Sequence, residues 1–202
     1  SPYASSGVQC QDCHMPIQKG KRIVSPELKA PKRDVNLHNI AGGHSIEQVK
    51  SALRVKIKEV RREGSTLQVG VELTNIGSGH KIPTGTPSRK LVLKVVVRDR
   101  SGRLYLEDEK TFEKVLMDEN KEILKEDHDI ILKAARIFYD NRISPKEVRE
   151  VRYSFDIPYK DLLRDYQENL FIEARALYHY LPRVLAPRRM EIEVASDAVR
   201  PR

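Results

Sequence analysis

The chain has two cysteines in 202 residues, and both fall in one short run, Cys10-Gln11-Asp12-Cys13-His14. A pair so close cannot build a disulfide framework, so its use is local. Two thiols on one turn match the two vinyl groups of a single haem, and the histidine that follows then sits under the iron as its proximal ligand. The run predicts one haem c, attached through Cys10 and Cys13 and ligated by His14. Zinc would normally need four protein ligands, and there is no third cysteine. A thioredoxin-type pair sits between a strand and a helix, whereas this one lies in a polar opening with no strand run before it.

The iron then needs a sixth ligand or an open position. Met15 adjoins the proximal histidine and cannot reach the opposite haem face. His38 and His44 flank a Gly-Gly turn in Leu-His-Asn-Ile-Ala-Gly-Gly-His, on a loop long enough to return across the haem. His80 lies in Asn75-Ile-Gly-Ser-Gly-His-Lys-Ile-Pro-Thr-Gly-Thr-Pro87, a connection longer and richer in Gly and Pro than a hairpin needs. Gly77 and Gly79 would let that backbone press close to a haem. The expected order for the distal ligand is His38, then His80 (distal, or serving a neighbouring haem), then His44. His128 and His179 read as structural.

Residues 1–44 look irregular, with Pro2, Pro16, Pro26 and Pro31 as breakers. Ser45 and Gln48 form an S-x-x-Q start for a short helix whose apolar face is Ile46, Val49, Ala52 and Leu53. From there the period becomes two. Leu53, Val55 and Ile57 alternate with Arg54, Lys56 and Lys58; Gly64-Ser65 turns; Leu67, Val69, Val71 and Leu73 follow. Leu91, Leu93, Val95 and Val97 form the next strand, which Ser101-Gly102 turns. Further strands are expected near 129–139, 147–157, 170–180 and 190–195, and a helix over Pro158–Gln167. The fold class is mainly β: an irregular haem-binding segment with a short helix, residues 1–52, then an antiparallel immunoglobulin-like β-sandwich, residues 53–202.

Net charge is +8, but Lys and Arg are interleaved with Glu, and no aromatic-studded basic stripe marks a nucleic-acid surface. No apolar run is long enough to cross a bilayer. No Gly-x-Ser-x-Gly or phosphate loop is present. The acidic groups Glu107-Asp108-Glu109 and Glu126-Asp127 read as solvated loops. Covalent haem attachment follows export, so a periplasmic or extracellular location is expected. The function expected is electron transfer rather than catalysis. The alternative is a haem enzyme or a gas or redox sensor with open iron, where His80 or Arg89 would be the distal acid–base group.

Cys-Gln-Asp-Cys-His-Met-Pro, then His38 and Gly-Gly-His, then Asn-Ile-Gly-Ser-Gly-His-Lys-Ile-Pro-Thr-Gly, resembles the C-terminal region of bacterial and archaeal multihaem c-type cytochromes. The stretches Asp140-Asn-Arg-Ile-Ser-Pro145 and Arg152-Tyr-Ser-Phe155 are similar to that region too. The resemblance implies bis-histidine iron and electrons passed along a chain of haems, with other haems, redox proteins or neighbouring subunits as partners. It maps Cys10, Cys13 and His14 onto the attachment motif, His38 onto the distal position, and His80 onto the Gly-His-x-x-Pro-Thr-Gly position. The chain departs from the family in having one attachment motif. Either a fragment with other haems upstream or a one-haem relative is expected; the abrupt start just before the motif favours a fragment or processed product, its surplus histidines available to a haem bound elsewhere.

Overall fold

The structure is a computed structural model that describes residues 2–21, 31–156, 170–179 and 191–200. The helix expected over 158–167 lies outside the described residues. Cys10–His14 form a one-turn helix, α1, whose first turn is tied by the Gln9 N–H donating to Asp12 Oδ2 at 2.7 Å. An exposed antiparallel pair follows, β1 (Ile17–Lys21) and β2 (Arg33–Asn36). Alternation did not reveal it, because neither strand has a buried face. Helix α2 (Ile46–Lys50) starts at Ser45, whose Oγ accepts from the Gln48 N–H as the spacing predicts.

The sandwich begins with β3 (Leu53–Glu63) and β4 (Thr66–Asn75), which pair antiparallel around the Gly64 turn. Next come β5 (Lys90–Asp99), β6 (Leu104–Phe112) and β7 (Lys114–Met117). Helix α3 (Asp127–Lys133) and β8 (Arg136–Asp140) occupy the stretch where one strand was expected. The apolar run Ile130-Ile131-Leu132 mimics a strand, yet Ile130 alone is buried. Asp127 and Asp129 favour the N-terminal turn, and Lys133 pairs with Asp129 at 2.7 Å with i,i+4 spacing. Strands β9 (Val148–Asp156), β10 (Leu170–His179) and β11 (Glu191–Val199) lie where the period-two pattern puts them.

The strands assemble as a three-stranded sheet, β3-β4-β9, and a four-stranded sheet, β11-β10-β5-β6, with all pairings antiparallel; β7 and β8 form a separate pair. Because strand side chains alternate faces, Val55 and Ile57, then Leu67 to Leu73, meet Leu91 to Val97 and Ile172 to Ala176 between the sheets. Tyr153 ties the layers: from the smaller sheet, its buried hydroxyl donates to the Leu93 carbonyl of the larger at 2.9 Å. No helix among the described residues is long and apolar enough to cross a membrane.

Candidate functional site

The N-terminal segment closes over one end of the sandwich. There α2 packs against β11, beside the first residues of β5, the end of β10 and the connection between β4 and β5. Ile76 and Gly77 donate their N–H groups to the Ala52 carbonyl at 3.0 and 3.2 Å, and the Tyr3 hydroxyl donates to the Ile76 carbonyl at 2.7 Å. Gly77 is glycine for a reason other than the one its sequence offers. A Cβ there would run into the Ser51 carbonyl and lie 3.3 Å from Ala52 Cα, so the residue lets two backbones touch. Gly77→Ala is therefore expected to lower stability by about 1–3 kcal/mol, read from the midpoint of denaturant unfolding.

Between these elements lies a cleft of about 1080 Å³, counting the space open to solvent. Val8, Val49, Leu53, Ile82, Leu91 and Val194 give it apolar walls. Cys10, Cys13 and His14 line one side, and Gly77 to His80 another. Both thiols are free and exposed. His14 Nδ1 bonds the Ala41 carbonyl in a short contact. A carbonyl only accepts, so Nδ1 carries the proton and Nε2 keeps its lone pair.

His80 faces His14, with ring centroids 6.2 Å apart and planes within 14°. That gap is too wide for direct ring contact, but it has a metal-centred explanation. A metal–imidazole bond is about 2.0–2.1 Å and the nitrogen lies about 1 Å from the ring centre, so two imidazoles that held one metal would have centroids about 6 Å apart. His80 Nδ1 is also engaged, 2.8 Å from Ser78 Oγ and 3.3 Å from the Lys81 carbonyl. Two imidazoles, two thiols and an apolar cleft fit a covalently held haem.

The other histidines lie elsewhere. His38 and His44 are exposed and do not line the cleft, whereas His80 lines it with His14. The loop that carries His38 and His44 meets His14 through the Ala41 carbonyl. Gly42 and Gly43 lie against the cleft, and a Cβ on Gly43 would come within 2.7 Å of Arg89 Nη1 and 2.8 Å of the Tyr178 hydroxyl. His179 lies 3.2 Å from Glu191 on the neighbouring strand, and His128 lies 3.4 Å from Asp129.

Residues that sequence reasoning missed hold the His80 loop. Asn75 is fully buried. Its Nδ2 donates to the carbonyls of His80 and Ile143, at 3.0 and 3.3 Å, and its Oδ1 accepts from the Ser78 N–H at 3.0 Å. Farther along, Ile82 and Ile143 exchange backbone hydrogen bonds of 2.9 Å. Asp140 receives Arg142 through two bonds of 2.8 Å and Lys81 at 3.0 Å. Mainly through the Arg142 bonds, and against the opposing effect of burial, its carboxyl titrates well below the usual carboxylate range. The sign follows: a depressed native pKa adds stability that is complete above the unfolded-state value near 4 and is lost as pH falls through the native value. An acid titration of stability should show Asp140→Asn losing part of the wild-type slope below about pH 4, with the two proteins converging at the acid end.

No protein-family model matches the sequence, and no curated protein matches it significantly. Among solved structures the chain is similar to a penta-heme cytochrome c552 from Thermochromatium tepidum, with a TM-score of 0.66 and 19% sequence identity, over 98% of this chain and 49% of that one. Much weaker likenesses are to a putative beta-galactosidase from Bacteroides fragilis (TM-score 0.35, 11% identity, 74% of this chain and 15% of that one) and to Spo0M from Bacillus subtilis (TM-score 0.28, 12% identity, 74% and 48%). The chain spans about half the length of the penta-heme cytochrome. That likeness takes in both the segment carrying Cys10 to His14 and the sandwich, so the chain has the fold of about half of a multihaem cytochrome.

Proposed function

We propose that this chain is an electron-transfer module with one haem c, held by thioether bonds from Cys10 and Cys13 and ligated by His14 and His80. The supporting observation is the facing pair of imidazoles 6.2 Å apart in a cleft that also presents both thiols. Bound haem supplies a one-electron iron couple. The chain's own residues do the rest. Ala41 orients the proximal ring, the Asn75–His80 loop delivers the distal one, and apolar side chains exclude water from the haem faces, which tunes the potential.

In this reading the chain divides into a haem segment, residues 1–52, and a sandwich domain, residues 53–202. The sandwich would supply His80 as a ligand. Were His14 and His80 both to hold the iron, no position would be left for a substrate or a gas, which favours electron transfer over an enzyme or sensor. The exposed His38 and His44 remain available to a haem of a further domain or neighbouring subunit, and the partners are other haems or redox proteins. Covalent attachment implies export to the periplasm or beyond. Absorption spectra of the oxidised and dithionite-reduced protein test the reading. Low-spin bands in both states, unmoved by carbon monoxide, are expected. A high-spin haem that binds carbon monoxide would replace this reading with the open-iron one.

A further inference from the structure

The strand pair β1–β2 is rooted at His14 on both sides. Strand β1 begins three residues after it, and β2 leads back to Ala41, whose carbonyl bonds its Nδ1. Asn36 Nδ2 donates to the Met15 carbonyl at 2.8 Å, and the Leu37 N–H to the Pro16 carbonyl at 3.0 Å, which fastens the root. Beyond it the pair buries neither face, and two strands alone are marginally stable in water. The charge on this arm is one-sided. Lys19, Lys21, Lys32 and Arg33 are exposed, and the one carboxylate among its described residues, Asp34, accepts the Gly20 N–H at 3.1 Å. Lys21 and Arg33 stand directly opposite each other, a like-charge pairing that destabilises a strand pair. The sandwich does otherwise: Lys58 meets Glu72, Lys94 meets Glu107 and Arg175 meets Glu193. Among the described residues none of the four cations on the arm has an ion-pair partner. An opposite charge from outside would relieve their repulsion. Residues 16–37 hold no aromatic ring for a nucleic-acid base to stack on, which favours a protein as its source.

We propose that the β1–β2 arm docks an acidic redox protein and steers it to the segment that carries Cys10 to His14. The proposal rests on the haem reading and adds to it the kind of partner. Steering by a one-sided patch raises association rates by about 10–1000-fold, and salt shortens its reach to about 8 Å at 0.15 M and about 3 Å at 1 M.

The test mixes the haem-loaded ferric protein in stopped flow with flavodoxin hydroquinone, an acidic protein donor that gives one electron to the iron and becomes the semiquinone. Methyl viologen radical, a small cation that gives one electron and becomes the dication, is the second donor. Reversing the arm's charge with Lys19→Glu and Lys21→Glu should slow reduction by flavodoxin about tenfold or more at low salt, with the difference gone near about 1 M salt. The viologen rate should not fall. Lys121→Glu with Lys125→Glu makes the same change in net charge on the connection between β7 and α3, which lends no residue to the cleft. That pair should slow flavodoxin by less than about threefold. Equal slowing by the two double variants would trace the effect to overall charge and overturn the proposal. So would a viologen rate that falls as far as the flavodoxin rate, the mark of a disturbed haem or fold. An arm that leaves the flavodoxin rate unchanged but is needed to bind vesicles containing phosphatidylglycerol would also overturn it, in favour of a lipid surface. A chain that takes up no haem overturns the haem reading and this proposal with it, and its absorption spectrum tells that failure apart.

Discussion

Replacing His80 with alanine is expected to convert a six-coordinate, low-spin haem that ignores carbon monoxide into one that binds it stoichiometrically. The same change at His38 or His44 should leave the spectrum as it was. The contrast follows from placement. His80 stands 6.2 Å from His14 across the cleft, and the other two are exposed residues outside it. Axial ligation is the strongest control a protein has over haem iron, and the potentials of differently ligated haems span about 0.8 V. A clear shift in midpoint should accompany the change of spin state. Electron paramagnetic resonance of the ferric protein, with carbon monoxide titration of the ferrous form, reads both. An unchanged His80→Ala protein beside a high-spin His38→Ala protein would instead make His38 the ligand, the first candidate the sequence offers.

Asn75→Ala is expected to have the largest effect on stability of any single change near the site that spares the ligands. The side chain makes three hydrogen bonds inside the protein, each contributing about 1 kcal/mol net. Its loss also leaves the buried Ser78 N–H without its acceptor, at a cost of about 1–3 kcal/mol. With the Ser78 bond counted once, in that cost, the total is about 3–5 kcal/mol, a fall of roughly 6–20 °C in Tm for a domain of this size. The same bonds fix the His80 carbonyl, so a fraction of the haem should become high-spin even where the fold survives. Thermal unfolding followed at both a far-ultraviolet and a haem wavelength tests this, and a loss below 1 kcal/mol with a fully low-spin haem would contradict it.

Most of the sandwich was legible because its strands bury one face each. Leu67, Val69, Val71 and Leu73, or Val151, Tyr153 and Phe155, show the alternation that burial requires. Where burial weakens, so does the signal. Strand β6 carries the exposed run Glu107-Asp108-Glu109-Lys110, and its alternation is lost. The exposed Ile131 and Leu132 of α3 suggested a strand that does not form. The Cys10 to His14 run stood out because its residues lie at a fixed local spacing. The placement of His80 could not be read, because no local rule brings the β4–β5 connection beside Cys10 to His14. That placement depends on sheet order, on Ile76 and Gly77 docking to Ala52, and on Asn75 reaching Ile143, a residue 68 positions away. The Gly42-Gly43 turn stood out only as part of a loop long enough to cross a haem face, whereas Gly43 admits Arg89 and Tyr178 at close range.

The most direct test of the central claim is whether haem stays on the chain after denaturation. The protein, produced in an exporting host with c-type maturation, would be unfolded, stripped of free haem in acid acetone and weighed intact by mass spectrometry, with haem staining of a denaturing gel alongside. The account predicts a mass higher by one haem and a stained band, both abolished in the double variant Cys10→Ala, Cys13→Ala. A chain of bare mass with two titratable thiols, from a host that matures other c-type cytochromes normally, would contradict it.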